Sequence, residues 1–432
     1  MDWKNYYRDR IRTPAEAVKL IQSGQRVILG HACGEPQALT RALVARAQEL
    51  ENVEIVQRVA MGESPYINPG MEGHFKLNSL FGSAPTRKAL ADGRADYTPS
   101  FISEIPGLFL TGKIPLDVAF ISVTPPDCHG YCSTGISVDY TIQAARAAKM
   151  VIAQVNPNMP RTFGDTLLHV SEIDYFAPAE EPLIVLEPPV ITAVEKQIGM
   201  NVASLIEDGA TLQLGIGSIP DAILEFLPDK HDLGVHTELF SDGVKNLVEA
   251  GVINGKKKTV LPGKVVSTFM MGTTDLYNWA HDNAALYLCP EDYVNDPWVI
   301  AQNYRMTAIN SALEVDVLGQ VAADTLGPKQ FSGVGGQVDF VRGAARSPGG
   351  KSIIAFPSTA KKGKVSRISA ILARGSAVTT SRHDTEYIVT EYGIAALKAK
   401  TVKERMEALI SIAHPDFRAE IRKDAYRTYY SM

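Results

Sequence analysis

The sequence predicts an α/β protein made of two related open α/β domains whose sheets are mostly parallel. Short apolar runs alternate with amphipathic runs along the whole chain, an arrangement typical of helices layered on parallel sheets. The length of 432 residues exceeds one ordinary hydrophobic core and indicates about two or three domains. A third observation is that a segment of the first half is echoed in the second half.

The predicted strands and helices follow from the apolar pattern of each segment. Uninterrupted apolar runs are typical of buried parallel strands, and helices are predicted where apolar residues recur at helical spacing or where Pro or Gly marks an end. In chain order the predicted elements are helix Ala15–Gln22, strand Arg26–Gly30, helix Pro36–Leu50, strands Val53–Val59, Leu116–Val123 and Met150–Val155, helix Thr192–Glu207, strand Thr211–Gly215, helix Pro220–Leu227, and strands near Val260, Ala285, Ile353 and Ile388.

The internal echo repeats the order helix, Gly, strand, Gly turn and Pro-started helix. Glu16–Gly30 aligns with Asn201–Gly215 without a gap, so that Gly24 matches Gly209. Any two βα units share part of such a pattern, and this is the alternative explanation of the echo. We predict two related domains, with residues 1–188 forming the first and residues 189–432 forming the second.

The composition is that of a soluble globular protein. Hydrophobic residues make up 45% of the chain and charged residues 21%, and the net charge of −5 gives no reason to expect nucleic acid as a partner. The first residues lack the apolar core of a secretory signal, and no run approaches the ~18 apolar residues of a membrane span. Four cysteines give no disulfide framework and suit a reducing cytoplasm, so we expect a cytoplasmic protein without a membrane partner.

Glu238 lies in the segment His231–Val244, between a strand-like run and a helix-like run. Open α/β sheets bind ligands at such corners, outside the carboxyl ends of the strands. Two glycine-rich turns, Gly215–Ser218 and Gly333–Gly336, lie on either side of it in sequence, and their N–H groups suit phosphates or an oxyanion. Taken singly, these features also fit a surface glutamate, a tight turn and a flexible loop. Together they indicate acyl chemistry.

Three further motifs limit the choice of cofactor. The cluster Lys361–Lys364 suits phosphates, or alternatively a solvated hairpin tip. The Gly215–Ser218 turn lacks the third glycine of a dinucleotide fingerprint because Pro220 stands there. The segment Cys128–Cys132 lacks two more ligands at suitable spacing, so no metal site is predicted.

These motifs together resemble the acetyl-CoA hydrolase/transferase family of class I CoA-transferases, and its 4-hydroxybutyrate and butyryl-CoA:acetate CoA-transferases in particular. The resemblance implies two α/β domains of the NagB/RpiA/CoA-transferase-like type, usually in homo-oligomers. The segments that carry it are Pro125–Asp139, Asn156–Tyr175, Gln213–Ile223, Gly234–Val244, Gly333–Phe340, Thr390–Ala395 and Ala413–Arg418.

The resemblance also implies roles for individual residues. Glu238 matches the family's catalytic glutamate, Gly336 matches the glycine whose N–H faces the thioester oxygen, and Asn295 matches a polar residue near the reacting carbonyl. Glu391 is a weaker match. The positions that match CoA-binding residues are Gln213, Leu214, Gly215, Ile216, Gly217, Gly335, Gly336 and Lys361.

The implied activity is that of a CoA-transferase, a transferase of sulfur-containing groups. It moves CoA between a short-chain acyl-CoA and a free carboxylate, acetate with 4-hydroxybutyrate or butyrate, by a ping-pong mechanism through a glutamyl-CoA thioester. An acyl-CoA hydrolase that uses the same intermediate is the alternative, and a non-catalytic CoA- or sugar-phosphate-sensing module is the second rival. We expect no metal ion and no cofactor, because coenzyme A is a substrate. We also expect a homodimer or a higher homo-oligomer.

Overall fold

A computed structural model describes residues 2–430 of the chain as two compact units. The first unit contains the residues up to Glu187 together with Val266–Val294. The second contains Pro188–Val265 and the residues from Asn295 on. Because the segment Val266–Val294 groups with the first unit, the two units are not two continuous stretches of the chain. The domain boundary at residue 188 therefore stays a prediction.

The first unit is built on a seven-stranded parallel sheet. Its strands are β1 (Arg26–Leu29), β2 (Val53–Gln57), β3 (Phe75–Ser79), β4 (Ala95–Tyr97), β5 (Val118–Val123), β6 (Met150–Val155) and β7 (Tyr175–Pro178). Their order in the sheet is β4-β3-β2-β1-β5-β6-β7. All six residues of the apolar strand β5 are buried, as expected of a parallel strand covered on both faces.

Helices and short strands complete the first unit. Its core joins residues of β1, β2 and β3 to the helix Gln37–Val44, which buries Leu39 and Leu43. The helices are Trp3–Asp9, Pro14–Ala17, Gln37–Val44, Arg87–Ala91, Ile105–Leu110, Thr141–Ala147, Thr274–Ala280 and Glu291–Val294. The short strands are Tyr131–Ser133, Leu167–His169, Phe269–Met270 and Leu286–Leu288, and Val265–Ser267 begins at the last residue of the second unit's first segment.

The second unit is built on a six-stranded sheet. Its strands are β8 (Thr211–Gln213), β9 (Gly234–Val235), β10 (Met306–Asn310), β11 (Lys351–Ala355), β12 (Tyr387–Thr390) and β13 (Gly393–Ala396). Their order in the sheet is β9-β8-β10-β11-β12-β13. All neighbours are parallel except β12 and β13, which form an antiparallel hairpin at the edge. Two open, mostly parallel sheets confirm the predicted fold class.

Two helices of the second unit begin at capping boxes. Thr192 and Glu195, and likewise Thr401 and Glu404, form capping boxes that satisfy the first N–H groups of their helices. The helices are Ala193–Ala203, Ser218–Leu224, Asp242–Glu249, Pro297–Ala301, Gln337–Arg346, Val402–Ile412 and Pro415–Tyr429. The short strands are Leu239–Phe240, Glu314–Asp316, Val321–Ala322, Thr325–Leu326, Lys329–Gln330, Thr359–Ala360, Val365–Ser366 and Ile368–Ser369.

One predicted strand lies elsewhere. Val260 is in a bend, and the nearest strand begins at Val265, because the glycine- and lysine-rich residues before it form turns. Among the helices of residues 2–430, none has both the length and the apolar content that crossing a bilayer requires.

Candidate active site

Glu238 lies in a short loop at the carboxyl end of β9. The backbone N–H of His236 donates to the Leu212 carbonyl at 3.1 Å, so the pairing of β9 with β8 continues one residue past the strand. Thr237 is buried, Glu238 is half-buried, and the chain then enters the strand Leu239–Phe240. The carboxylate therefore lies outside the carboxyl ends of the parallel strands, where open α/β sheets bind ligands.

Two other predicted residues contact the Glu238 carboxylate. Asn295, which is fully buried, donates a hydrogen bond from Nδ2 to Glu238 Oε2 at 3.3 Å. Gly336 lies against both groups, since a Cβ at this position would collide with Glu238 Oε2 and would meet Asn295 Nδ2 at 2.5 Å. The structure thus brings Glu238 together with two residues that lie 57 and 98 positions away from it in sequence.

Glycine is required at the turn before the helix Gln337–Arg346. Gly336 is the N-cap of this helix, and a Cβ there would also meet the ring of Phe340 at 3.2 Å. Gly335 has a φ of +60°, a left-handed conformation that favours glycine. The helix itself extends from Gln337 to Arg346. The sequence Gly335-Gly336 therefore allows the backbone to approach the carboxylate where any side chain would not fit.

The turn Gly215–Ser218 forms one wall of an open cleft of about 290 Å³. Gly215 and Gly217 face open space, because a Cβ at either position would have no heavy atom within 4 Å. Gly217 has a φ of +112°, which glycine tolerates and other residues rarely adopt. The cleft is also lined by Ile219 and Pro220 and by Ile309, Asn310 and Ser311.

Gln213 and Leu214 lie beneath this turn and are buried. The Gln213 side chain forms hydrogen bonds with Ile309 and Asn310, and the backbone of Leu214 forms hydrogen bonds with the Thr237 hydroxyl. Sequence reasoning did not single out Asn310 or Thr237. The only signal at Thr237 was its place beside Glu238.

Lys361 lies at the tip of an antiparallel hairpin formed by Thr359–Ala360 and Val365–Ser366. The residues Lys361–Lys364 are all exposed, and Lys361 and Lys362 have positive φ angles of 51° and 59°. Within residues 2–430, the Lys361 ammonium makes no hydrogen bond or ion pair with another side chain. The tip is therefore an exposed cationic loop.

Glu391 is held at the end of β12, next to the hairpin of Lys361. Its carboxylate accepts hydrogen bonds from the Ser358 backbone N–H at 2.9 Å and from the Ser358 hydroxyl at 2.6 Å. Burial lowers the pKa of Arg367, and the negative charge of Glu391 opposes that shift. These contacts fix Glu391 against the segment that leads into the hairpin.

The cysteines do not form a nucleophilic or metal-binding cluster. Burial raises the pKa of Cys132 to about 12 and that of Cys33 to about 11, so both thiols stay protonated at neutral pH. Within the part of the chain that the structure describes, no group of three or more His, Cys, Asp or Glu side chains is arranged to hold a metal ion.

Two family models match this chain. The acetyl-CoA hydrolase/transferase N-terminal domain matches residues 1–187, and the C-terminal domain of the same family matches residues 272–425. The chain is 55% identical over 424 residues to a 4-hydroxybutyrate coenzyme A transferase of Clostridium kluyveri, covering 98% of this chain and 99% of that protein. It is 38% identical over 436 residues to a butyryl-CoA:acetate CoA-transferase of Anaerostipes caccae, covering 98% of each.

More distant and structural comparisons agree with these matches. An acetyl-CoA hydrolase of Yarrowia lipolytica is 25% identical over 483 residues, covering 96% of this chain and 89% of that protein. The crystal structure of RipA from Yersinia pestis superimposes with a TM-score of 0.94 at 37% identity, covering 99% of this chain and 100% of RipA. The resemblance found in the sequence is confirmed: the chain belongs to the acetyl-CoA hydrolase/transferase family.

Proposed function

We propose that this protein is a CoA-transferase that exchanges CoA between a short-chain acyl-CoA and a free carboxylate, with acetate and either 4-hydroxybutyrate or butyrate as the pair. Relatives that share 38 to 55% of their residues with this chain are named as CoA-transferases. The relative named as an acetyl-CoA hydrolase shares only 25%. Transfer is therefore favoured over hydrolysis.

The observation that carries the proposal is the contact of the Glu238 carboxylate with Asn295 and Gly336. A carboxylate is a weak nucleophile in water, but a bound thioester is an activated acyl group and the attack becomes unimolecular. The Asn295 amide, at 3.3 Å, holds one carboxylate oxygen. The Gly336 backbone lies beside the same oxygen, where a tetrahedral oxyanion needs N–H donors.

In the first half-reaction, a Glu238 oxygen attacks the carbonyl carbon of the acyl-CoA. The carbon–sulfur bond breaks, and CoA leaves as a thiolate while a mixed anhydride joins the acyl group to Glu238. The thiolate then attacks the Glu238 carbonyl carbon and expels the first carboxylate. The product is a glutamyl-CoA thioester at Glu238.

In the second half-reaction, the incoming carboxylate attacks the glutamyl thioester and the same steps run in reverse. A new anhydride forms as the thiolate leaves, and the thiolate then attacks the carbonyl of the new acyl group. The new acyl-CoA departs and the Glu238 carboxylate is regenerated, so no proton, electron or metal ion is consumed. Each step passes through a tetrahedral oxyanion, for which we assign the Gly336 N–H and the Asn295 amide as donors.

Binding of coenzyme A is assigned to two places in the second unit. Gly215, Ile216 and Gly217 line the cleft at the end of β8, and the exposed Lys361 suits a phosphate of the CoA tail. Gln213 and Leu214 support this cleft from beneath, and Gly335 shapes the turn that presents Gly336. Binding energy from the tail can then lower the barrier at the distant thioester.

The remaining parts of the proposal concern cofactors, assembly and location. The proposed chemistry needs no metal or organic cofactor, with coenzyme A acting as a substrate. We place the enzyme in the cytoplasm because its four cysteines are free thiols. We propose a homodimer or higher homo-oligomer because homo-oligomers are usual in the family it resembles. Size-exclusion chromatography with light scattering measures the assembly directly.

The test of the proposal is to trap the glutamyl-CoA thioester. Wild-type protein incubated with acetyl-CoA alone and treated with borohydride should carry an alcohol at Glu238, and hydroxylamine should give a hydroxamate, each visible as a mass change in the peptide containing Glu238. Initial rates with acetyl-CoA and butyrate should give the parallel lines of a ping-pong mechanism.

Matched variants complete this test. Glu238→Ala removes the nucleophile and should abolish both transfer and labelling, whereas Glu225→Ala, at an exposed glutamate of the same unit, should retain both. Glu238→Asp withdraws the carboxylate by one methylene and should also be severely impaired. A label on another carboxylate, or intersecting lines without a trapped adduct, would refute Glu238 as nucleophile. Release of free acetate from acetyl-CoA at the same rate with and without butyrate would identify a hydrolase.

A further inference from the structure

The end of strand β8 is held from one side by the side chain of Gln213. Gln213 Oε1 accepts hydrogen bonds from the Ile309 backbone N–H and from Asn310 Nδ2, each at 3.1 Å. Gln213 Nε2 donates to the Ile309 carbonyl at 3.3 Å and to Asn310 Oδ1 at 3.4 Å. With only 5% of its surface exposed, this amide is fully engaged in joining the ends of β8 and β10.

Leu214, the residue that follows β8, is held from the opposite side. The hydroxyl of Thr237 donates to the Leu214 carbonyl at 3.0 Å and lies 3.3 Å from the Leu214 backbone N–H. Thr237 is buried and immediately precedes Glu238. The residues from which the glycine turn starts are thus connected to Asn310 on one side and to the loop of Glu238 on the other.

The cleft that this connection supports has no charged side chain in its lining. Its lining consists of the glycine turn Gly215–Ser218, Ile219, Pro220, Ile309, Asn310 and Ser311, which combine backbone amides with uncharged side chains. Such a surface suits an uncharged chain that carries amides. Phosphates would instead favour cationic groups such as the Lys361 ammonium.

We propose that Gln213 and Thr237 form a hydrogen-bonded frame that fixes the glycine turn relative to Asn310 and to Glu238, so that the cleft and the nucleophile keep a constant spacing. The inference rests on the proposed CoA-transferase function. Gln213 and Thr237 are positioning residues in this frame, because their polar groups are occupied by protein atoms. Asn310 and Ser311 line the cleft.

The two sides of the frame have different consequences. Loss of the Gln213 amide frees the Ile309–Ser311 wall and alters the width of the cleft, which weakens binding of the thioester substrate. Loss of the Thr237 hydroxyl frees the loop that carries Glu238, which displaces the nucleophile from the bound carbonyl. A displacement of about 1 Å is enough to lower turnover by orders of magnitude.

The first arm of the experiment compares Gln213→Leu with the exchanged double variant Gln213→Asn/Asn310→Gln. The single variant should raise KM for acetyl-CoA about tenfold, as expected for losing more than one net hydrogen bond, with little change in KM for butyrate. The double variant restores an amide pair of the same total length and should recover part of this loss. Gln154→Leu is the control, since it removes a buried glutamine that binds the Ala38 and Leu39 N–H groups of the first unit.

The second arm repeats the measurement with S-acetylpantetheine, a thioester without the nucleotide and its phosphates. If the frame acts through the uncharged cleft, Gln213→Leu should raise KM for this truncated thioester by the same factor as for acetyl-CoA. An effect seen with acetyl-CoA but absent with S-acetylpantetheine would overturn the action of the frame on the cleft. An equal KM change in Gln154→Leu would show that the effect reflects general destabilisation and would overturn the frame.

The third arm compares Thr237→Val, an isosteric change, with Thr237→Ser, which keeps the hydroxyl. Thr237→Val should lower kcat by at least tenfold with a smaller change in KM, and Thr237→Ser should remain near wild type. Equal kcat values in both variants would overturn the positioning role. Failure of the proposed CoA-transferase function gives a different result, because the wild-type protein itself would then transfer no CoA. Failure of the frame would leave wild-type transfer intact.

Discussion

The segments that contain strands β1 and β8, each with the turn that follows the strand, are built in the same way. In both, a glycine with a left-handed φ precedes the strand, with values of +77° at Gly24 and +74° at Gly209. In both, the strand lies inside a sheet between parallel neighbours and a helix follows the turn. The two turns nevertheless differ in what surrounds their glycines.

The turn after β1 is filled by protein atoms. A Cβ at Gly34 would come within 2.8 Å of Ser137 Cβ, and a Cβ at Gly30 would meet the Gly34 carbonyl at 3.3 Å. His31, between these glycines, has no exposed surface. After β8, in contrast, a Cβ at Gly215 would have no heavy atom within 4 Å.

The same residue type therefore serves opposite purposes in the two turns. After β1, glycine lets other parts of the first unit pack against the backbone. After β8, it leaves space that a ligand can enter. Gly336 combines both situations, because the groups that fill its Cβ position are the side chains of the candidate active site.

The largest effect is expected at Gly336. Gly336→Val should reduce turnover by ~100-fold or more, the typical size of losing an oxyanion donor, because its side chain would displace Glu238 and Asn295. Steady-state rates with acetyl-CoA and butyrate measure the loss, and far-ultraviolet circular dichroism checks that the variant folds. Gly107→Ala, at an open glycine with unstrained φ in the first unit, is the control. Near-normal turnover of a folded Gly336→Val would remove Gly336 from the oxyanion site.

The filled turn after β1 should make stability depend on pH through His31. Its Nδ1 lies 3.2 Å from the Asp139 carboxylate, and its Nε2 accepts from Arg58 Nε at 3.0 Å. Burial and then the Arg58 charge lower the pKa of His31 to about 4, against an ordinary value of 6.5. The stability that the neutral ring contributes is present above pH 6.5 and is lost as the pH falls toward 4. The free energy of unfolding should drop by on the order of 2 kcal/mol over this interval.

Glu35 acts in the opposite direction and must be separated from His31. Burial raises the pKa of Glu35 to about 7, so its contribution is present below pH 4.5 and is lost as the pH rises through 7. Urea unfolding from pH 7 to pH 4 should therefore be compared between Glu35→Gln and the double variant Glu35→Gln/His31→Gln. The double variant should lose less stability on acidification. Equal slopes in the two proteins would show that His31 is not the acid-sensitive group.

The sequence predicted the architecture well because burial leaves a strong pattern. The apolar runs that became β5 and β6 are almost wholly buried, and Met150–Val155 begins and ends where the pattern indicated. The apolar pattern does not indicate that the segment Val266–Val294 belongs to the first unit. Periodicity reports that a segment is a strand or a helix, but not which sheet it joins.

The candidate site was predicted in a different way. Glu238, Asn295 and Gly336 were named from the family's motifs, and the structure brings their atoms into contact. The hydrogen bonds of Gln213 and Thr237 were not predicted, since side-chain bonds between the ends of neighbouring parallel strands have no sequence period. The sequence does not show that Gly34 is packed and Gly215 is open, because each lies in a glycine-containing turn between a predicted strand and a helix that contains proline near its start.

Gly34→Ala tests the filled turn. Its Cβ would force Ser137 to move, and Ser137 donates a hydrogen bond from Oγ to the His31 carbonyl at 3.1 Å. Inserting a methyl group into such a packed position should lower the free energy of unfolding by about 1–2 kcal/mol. The midpoint of urea unfolding measures this, and an unchanged midpoint would mean that the turn relaxes freely and is not densely packed.

Gly215→Ala is the matched change in the open turn and should have the smallest effect on stability. The Cβ faces open space and the φ of Gly215 lies outside the left-handed region, so the free energy of unfolding should stay within about 0.5 kcal/mol of wild type. A small gain is expected if anything, because alanine restricts the unfolded chain more than glycine does. The same methyl group lies in the lining of the cleft, so KM for acetyl-CoA should rise while KM for butyrate stays nearly constant. If Gly215→Ala instead destabilised the fold as much as Gly34→Ala, the distinction between a filled and an open turn would be lost, and with it the reason for placing coenzyme A after β8.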